Sequence, residues 1–215
     1  MKKMDEEYVE DEDIENETKI TILTLGDEEV GKTSLVLKYI DDTFSEKYMT
    51  TIGIDFKDKY LKKNGKNFKI SFVHPSSKVS NQNLINLECD GIIFLYDTTN
   101  KKSFDDISKY IEIFQDKKGK NFPMILLGNK IDKIGDRKIT KEAGEGLAET
   151  KGINFSEISV KEGTNVDDAV NSLINQIFEA SSKLKANIEN APMLNENKKG
   201  DKKDNSDPCP CCSIF

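Results

Sequence analysis

Eight residues near the start of the chain have the composition of a phosphate-binding loop. The stretch GDEEVGKT, residues 26–33, fits the pattern G-x-x-x-x-G-K-[ST] and lies between an apolar run and a helical pattern. In this context Lys32 would reach the β- and γ-phosphates of a nucleotide, and Thr33 would supply a hydroxyl group to Mg²⁺. Backbone N–H groups of the loop and the helix N-terminus would point at phosphate oxygens. The predicted phosphate-binding residues are Glu29, Val30, Gly31, Lys32, Thr33 and Ser34.

A second polar sequence, Asn129-Lys130-Ile131-Asp132, indicates which base is bound. The Asp132 carboxylate can accept hydrogen bonds from guanine N1–H and the 2-amino group, a donor pair that adenine lacks. Asn129 can reach the other edge of the base, and the stem of Lys130 can cover its face. The tripeptide Ser159-Val160-Lys161 could present a backbone N–H to the guanine carbonyl. These residues predict a guanine-nucleotide site and disfavour an ATP-dependent kinase or ATPase.

Apolar runs that alternate with helical patterns supply the elements that must position these residues. We predict strands over 19–26, 91–97, 122–129 and 153–160, and a hairpin over 52–73 that turns at Asn64-Gly65. Helical spacing predicts helices over 31–41, 103–118, about 140–151 and 164–183. This order indicates a three-layer α/β fold with about five helices. Its six-stranded sheet is mostly parallel, and one antiparallel strand comes from the hairpin.

Charge and cysteine placement divide the 215 residues into three parts. Net charge is -7, and residues 1–18 hold nine acidic side chains and two lysines, so this arm alone accounts for 2 - 9 = -7. We expect an acidic, disordered arm over 1–18, one domain over 19–182, and a flexible tail over 183–215. Three of the four cysteines lie in the last seven residues, which excludes a disulfide framework and fits a cytosolic protein. No apolar run predicts a membrane span, and no basic face predicts nucleic-acid binding.

Taken together, these motifs resemble those of the Ras-like small GTPases, and within them the Rab branch, over about residues 19–180. The resemblance is carried by GDEEVGKT, TIGIDF (51–56), LYDTTNKKSF (95–104), GNKID (128–132) and the terminal cysteines. It implies the P-loop GTPase fold and binding of GTP, GDP and Mg²⁺. It also implies a role in vesicle-mediated membrane traffic, with effector, exchange-factor and prenyl-chaperone partners. By resemblance, Thr33 and Thr51 bind Mg²⁺, Phe44 packs edge-on against guanine, and Tyr48 covers the phosphates.

The resemblance breaks at the end of the third strand. The family carries D-T-A-G-Q there, and His74-Pro75-Ser76-Ser77-Lys78 stands in its place, 23 residues after Thr51. His74 cannot replace the aspartate charge that holds a Mg²⁺-bound water, and Lys78 has no acceptor with which to orient the attacking water. Glu28 adds a side chain where the family has small residues. We therefore assign no catalytic residue and interpret His74 as a loop residue with no ligand. Hydrolysis is expected to be slow or lost, with weakened Mg²⁺ dependence.

The last seven residues, CPCCSIF, predict a lipid anchor. Cys211 and Cys212 resemble a Rab double-cysteine prenylation site, and the last four residues also fit C-a-a-X with a phenylalanine that favours geranylgeranyl. Two lipids give stable anchoring, so we expect the protein on the cytosolic face of an endomembrane compartment. Two alternatives stay open. One is a membrane-anchored pseudo-GTPase scaffold that does not cycle, and the other is an active timer whose missing groups come from a partner.

Overall fold

The computed structural model of this chain describes residues 17–45, 53–63, 65–75 and 84–189, with side chains as far as 183. Its strands are β1 Thr18–Leu25, β2 Ile54–Lys63, β3 Lys66–Pro75, β4 Gly91–Asp97, β5 Met124–Asn129 and β6 Asn154–Glu157. Its α-helices are α1 Lys32–Asp41, α2 Lys101–Lys118, α3 Lys141–Lys151 and α4 Val166–Glu189. A 3-10 turn covers Ile134–Asp136.

The six strands form one sheet in the order β2-β3-β1-β4-β5-β6. Every neighbouring pair is parallel except β2 and β3, which form the antiparallel hairpin. This architecture confirms the predicted three-layer α/β fold, and the four described helices agree roughly with the expected number. Because parallel strands end at the same edge of a sheet, the loops that follow β1, β4 and β5 meet there.

The central strands of the sheet are buried on both faces, which explains why they are continuous apolar runs. Along β4, Ile93 and Leu95 face the core that contains residues of α1 and α4. Ile92, Phe94 and Tyr96 face the opposite core, which contains residues of α2 and α3. The two cores hold β4 rigidly, so the loops at its carboxyl end start from fixed positions. Within the described part, no helix has the length and apolar character needed to cross a membrane.

Two elements differ in extent from the predictions. The strand predicted over 153–160 is shortened to β6, because Ser159 turns away and pairs with Thr164 in an isolated bridge. The last helix, α4, continues to Glu189, six residues beyond its predicted end at 183. The start of the tail at 183, the acidic arm over 1–18 and the terminal cysteines remain predictions, since residues 1–16 and 190–215 lie outside the described residues. Strand β1 begins at Thr18, the last residue assigned to the arm.

His74 occupies a strand, so its interpretation as a loop residue is wrong. It lies within β3, opposite Asp55 of β2 in the antiparallel register, and only 2% of its surface is exposed. Hairpin pairing carries the strand through His74 to Pro75. The position is therefore part of the sheet, and its side chain is inside the protein.

Candidate nucleotide-binding site

The loop between β1 and α1 is held tightly against the ends of β4 and β5. A Cβ atom added to Gly26 would lie 2.2 Å from the carbonyl oxygen of Leu95. One added to Gly31, which has a φ of +102°, would lie 2.5 Å from the side-chain nitrogen of Asn129. Both glycines are thus required by close approach, and the loop takes the compact form that a phosphate cradle needs.

Lys32 begins α1 and turns its ammonium group back into the loop. Its Nζ donates to the carbonyl oxygens of Gly26 and Asp27, at 2.7 and 2.6 Å. Burial lowers the pKa of Lys32 to about 8, while the charges of Asp27 and Glu28 act in the opposite direction. A phosphate group would supply the counter-charge that two carbonyl dipoles only partly provide. Thr33 and Ser34 follow in the first turn of α1, as predicted.

Asn129 connects the phosphate loop to the segments predicted to bind the base. Its Nδ2 donates to the carbonyl oxygen of Val30 at 2.8 Å, and its Oδ1 accepts from the backbone nitrogens of Lys130 and Val160 at 2.7 and 3.1 Å. The residue is 2% exposed. An amide group has two N–H donors, and only one of those of Asn129 bonds to Val30, so the other can donate to the edge of a base. Asn129 therefore joins three segments besides its predicted contact with guanine.

Lys130 is fixed by a carboxylate that the sequence analysis did not single out. Its backbone is left-handed, with a φ of +70°, and its Nζ lies 2.7 Å from Oδ2 of Asp97. Asp97 is buried at the end of β4, and its Oδ1 accepts from the nitrogen and the hydroxyl group of Thr99. Burial acts to raise the pKa of Asp97, but hydrogen bonds from Lys130 and Thr99 outweigh it and hold the pKa below its usual value. The sequence feature that could have identified Asp97 is its position as an acidic residue directly after the apolar run GIIFLY.

Asp132 is oriented by the loop that follows β6. The Ser159 hydroxyl donates to Oδ1 of Asp132 at 2.7 Å and accepts from the backbone nitrogen of Glu162 at 3.1 Å. The backbone nitrogens of Ser159 and Val160 are engaged by Thr164 and Asn129. Ser159 and Val160 therefore act by holding the side chains of the pocket, and Lys161 lies next to them at the surface.

The remaining predicted residues are only partly described. Phe44 follows the end of α1 and is 38% exposed. Tyr48, Thr51, Lys78, Cys211 and Cys212 lie outside the described residues. The structure thus brings together the phosphate loop, the Asn129–Asp132 segment and the Ser159–Lys161 segment, which are the segments predicted to bind a nucleotide.

The described residues fit a guanine nucleotide better than they fit Mg²⁺. Thr33 is placed to offer a hydroxyl group, but the strand end where the resemblance requires a carboxylate carries His74. Burial lowers the pKa of His74, Asp55 raises it, and Lys32 and Lys57 lower it further. Over the ranges that the structure covers, no three His, Cys, Asp or Glu side chains cluster closely enough to hold a metal ion. A buried imidazole on which the charge of Lys32 acts is a poor site for a hard dication, which prefers oxygen ligands.

Comparison with known proteins gives consistent matches over the whole domain. The Ras family model matches residues 21–179. Ras-related protein Rab-13 of Mesocricetus auratus is 34% identical over 191 residues, which cover 87% of this chain and 94% of that protein. GTP-binding protein ypt2 of Schizosaccharomyces pombe is 34% identical over 161 residues, covering 74% and 80%. Ras-related protein Rab-12 of Homo sapiens is 33% identical over 164 residues, covering 74% and 67%.

Proposed function

This chain belongs to the Ras family of small GTPases, in its Rab branch, and on that basis we propose that it binds GTP and GDP in vesicle-mediated membrane traffic. In this proposal the protein recruits effectors from the cytosolic face of an endomembrane and hydrolyses GTP slowly or not at all. The similarity to Rab-13 and ypt2 supports the guanine-nucleotide and membrane-traffic parts. Slow hydrolysis is supported by residues of this chain that differ from the family pattern, His74 and Lys78 among them.

The observation that carries nucleotide binding is the hydrogen-bond network centred on Asn129. This one buried side chain connects Val30 of the phosphate loop with Val160 of the loop after β6. Phosphate recognition and base recognition are therefore built as one unit. Ser159 orients the Asp132 carboxylate that would accept from guanine, and Asp97 holds Lys130 where its stem would cover the base.

Selectivity between nucleotides tests this part of the proposal. The stripped full-length protein should bind GDP at least a hundredfold more tightly than ADP in a fluorescent-nucleotide titration, because adenine lacks the donor pair that guanine offers to the Asp132 carboxylate. Asp132→Ala should lose most of this preference. Asp136→Ala, an exposed carboxylate in the 3-10 turn of the same loop, is the matched control and should bind like the parent. Equal affinity for GDP and ADP in the parent protein would rule the proposal out.

Slow hydrolysis follows from the two altered positions and from the phosphate loop. His74 brings an imidazole where the family aspartate holds a metal-bound water, and Lys78 lacks an acceptor for the attacking water. Glu28 and Glu29 add carboxylates beside the developing phosphate charge. A single-turnover assay with bound GTP should therefore show a rate far below that of the Rab relatives. The double substitution of His74→Asp with Lys78→Gln should raise this rate. Family-like hydrolysis by the parent would contradict the reasoning.

Membrane attachment is proposed to depend on the terminal cysteines. Replacement of both Cys211 and Cys212 by serine should move the protein from the membrane to the soluble fraction of cells that carry out prenylation, because one or two lipids are lost. Cys89→Ser is the control, since Cys89 is a half-buried thiol inside the domain. Unchanged membrane partitioning of the double serine variant would contradict this part.

Effector recruitment is proposed to use β2, the edge strand of the sheet. Ile54, Phe56 and Tyr60 alternate along β2 and are exposed to 36%, 63% and 44%. Alternation places the three side chains on one face of the strand. An apolar row of this kind suits a protein partner better than water.

A membrane-anchored scaffold that does not cycle is the second candidate function. The buried His74 favours it, because loss of the metal-shell carboxylate removes part of the difference between GTP-bound and GDP-bound states. The nucleotide content of the purified protein separates the two candidates. Stoichiometric GTP or GDP supports the nucleotide-binding protein, and empty protein that binds neither supports the scaffold.

A further inference from the structure

His74 lies next to the phosphate loop. Strand β3 runs parallel to β1, with Val73 opposite Leu23, and β1 ends at Leu25, just before the loop begins. The charge of Lys32 is close enough to influence the His74 ring. An anion held by Lys32 would therefore come near the imidazole. This is the single histidine of the chain.

The His74 ring has hydrogen-bonding capacity that the described residues do not use. Neither ring nitrogen makes a hydrogen bond within the part of the chain that the structure describes. Nε2 lies 3.4 Å from Oδ2 of Asp55, which is longer than a well-formed hydrogen bond, so we treat this contact as electrostatic. Buried polar atoms nearly always have partners in folded proteins, and an exception beside a binding cleft points to a ligand.

The charged groups that face the ring favour an anionic ligand over a metal ion. The charges that act on the ring belong to Asp55 and Lys57 of β2 and to Lys32 of α1. Lys57 is already paired with Asp41, and Lys32 donates to two loop carbonyls. Among the described groups that influence the ring, Asp55 is the only carboxylate, and it faces Nε2. A dication would meet one carboxylate against two ammonium groups and an imidazole, whereas a phosphate oxygen would be attracted by those three groups and repelled by Asp55 alone.

From this geometry we infer that His74 is a phosphate ligand of the bound guanine nucleotide, with Asp55 beside Nε2 and the other ring N–H donated to a phosphate oxygen. The inference rests on the proposed function and adds a binding residue to it. The imidazolium forms as the nucleotide enters, with its proton taken from solvent. It supplies positive charge at the strand end, so nucleotide binding does not depend on Mg²⁺.

The single histidine makes the ring directly observable. Full-length protein labelled with ¹⁵N-histidine and stripped of nucleotide is titrated with GDP in the presence of EDTA, and the ring nitrogens are followed by NMR. Both nitrogens should move to imidazolium values as GDP saturates the site. A ring that stays unchanged while GDP binds overturns the assignment of His74 alone. Failure of GDP to bind overturns the proposed function, and this assignment with it.

Affinity measurements provide the second readout. The parent protein should bind GDP with a Kd that differs by less than about fivefold between EDTA and excess Mg²⁺, and a larger difference overturns the inference. His74→Ala should weaken binding in EDTA by about tenfold to a hundredfold, the range expected for a charge-assisted hydrogen bond. His74→Asp should bind weakly in EDTA and recover in Mg²⁺. Lys69→Ala, on the same strand and paired with Asp58, is the control. Parent-like binding by His74→Ala in EDTA overturns the inference.

Discussion

Replacement of Asn129 by alanine should destabilise the empty protein as well as weaken nucleotide binding. The substitution removes the partner of the Lys130 backbone nitrogen, which is only partly buried and can bond to water. It also removes the partner of two groups in almost fully buried residues, the carbonyl oxygen of Val30 and the backbone nitrogen of Val160. A buried polar group left unpaired costs about 1–3 kcal/mol. Two such groups lower the free energy of unfolding by about 2–6 kcal/mol. Water that enters the vacated space can bond to them, so we expect a loss of about 3 kcal/mol.

Urea unfolding of nucleotide-free protein measures this change without the contribution of bound ligand. In a thermal unfolding experiment on a domain of this size, a loss of about 3 kcal/mol corresponds to a fall in Tm of about 6–12 °C. Asn121→Ala is the control, because Asn121 is exposed in a turn and its loss should change stability by less than about 0.5 kcal/mol. If Asn129→Ala loses guanine binding but keeps parental stability within about 1 kcal/mol, Asn129 acts on the base alone and the network argument fails.

Three further predictions concern single positions in the described domain. The backbone of Glu29 is left-handed, with a φ of +61°, so Glu29→Gly should stabilise the empty protein by up to about 1 kcal/mol in urea unfolding. The control is Glu28→Gly, which should destabilise the protein because the φ of Glu28 is not positive. Because hydrogen bonds hold the pKa of Asp97 below its usual value, its carboxylate stabilises the fold above about pH 4, and the stability lost in Asp97→Asn should shrink as the pH falls below that value. Gly144→Ala should destabilise the protein by about 1–3 kcal/mol, since a Cβ atom there would lie 2.5 Å from the ring of Phe155. The control is Gly146→Ala in the same helix, which meets no atom within 4 Å and should be neutral or stabilising. A thermal unfolding series in which Gly146→Ala is the less stable variant would contradict the packing argument.

Periodicity predicted the sheet well because most of its strands are buried. The run over 91–97 coincides with β4, and the described Gly65, with a φ of +71°, lies between β2 and β3 as the predicted hairpin requires. Element ends were less predictable, since they depend on hydrogen bonds made elsewhere. Ser159 leaves the sheet to pair with Thr164 and to donate to Asp132, and neither contact has a local signal in the sequence.

The sequence predicted most residues of the candidate site but not the hydrogen bonds and ion pairs that join them. Motif spacing placed Asn129 in the base pocket, but its bond to Val30 joins residues 99 positions apart and appears only in the fold. Asp97 was missed for the same reason, because its partner Lys130 lies on the neighbouring strand's loop. His74 was misplaced because a histidine followed by proline suggests a loop, whereas ten residue pairs of the β2–β3 register keep it in a strand.

The two ends of the proposed pocket rest on different elements, which explains how one can change while the other is kept. The base end depends on the segments after β5 and β6, and its contact with the phosphate loop runs through the carbonyl oxygen of Val30. The altered end depends on β3, which pairs with β2 and β1 and has no pairing with β5 or β6. Substitutions at His74 should therefore change metal dependence and hydrolysis while the preference for guanine over adenine stays constant, because no hydrogen bond of the Asn129 network involves β3. A loss of base preference in His74→Asp would show that the two ends are coupled through the phosphate loop.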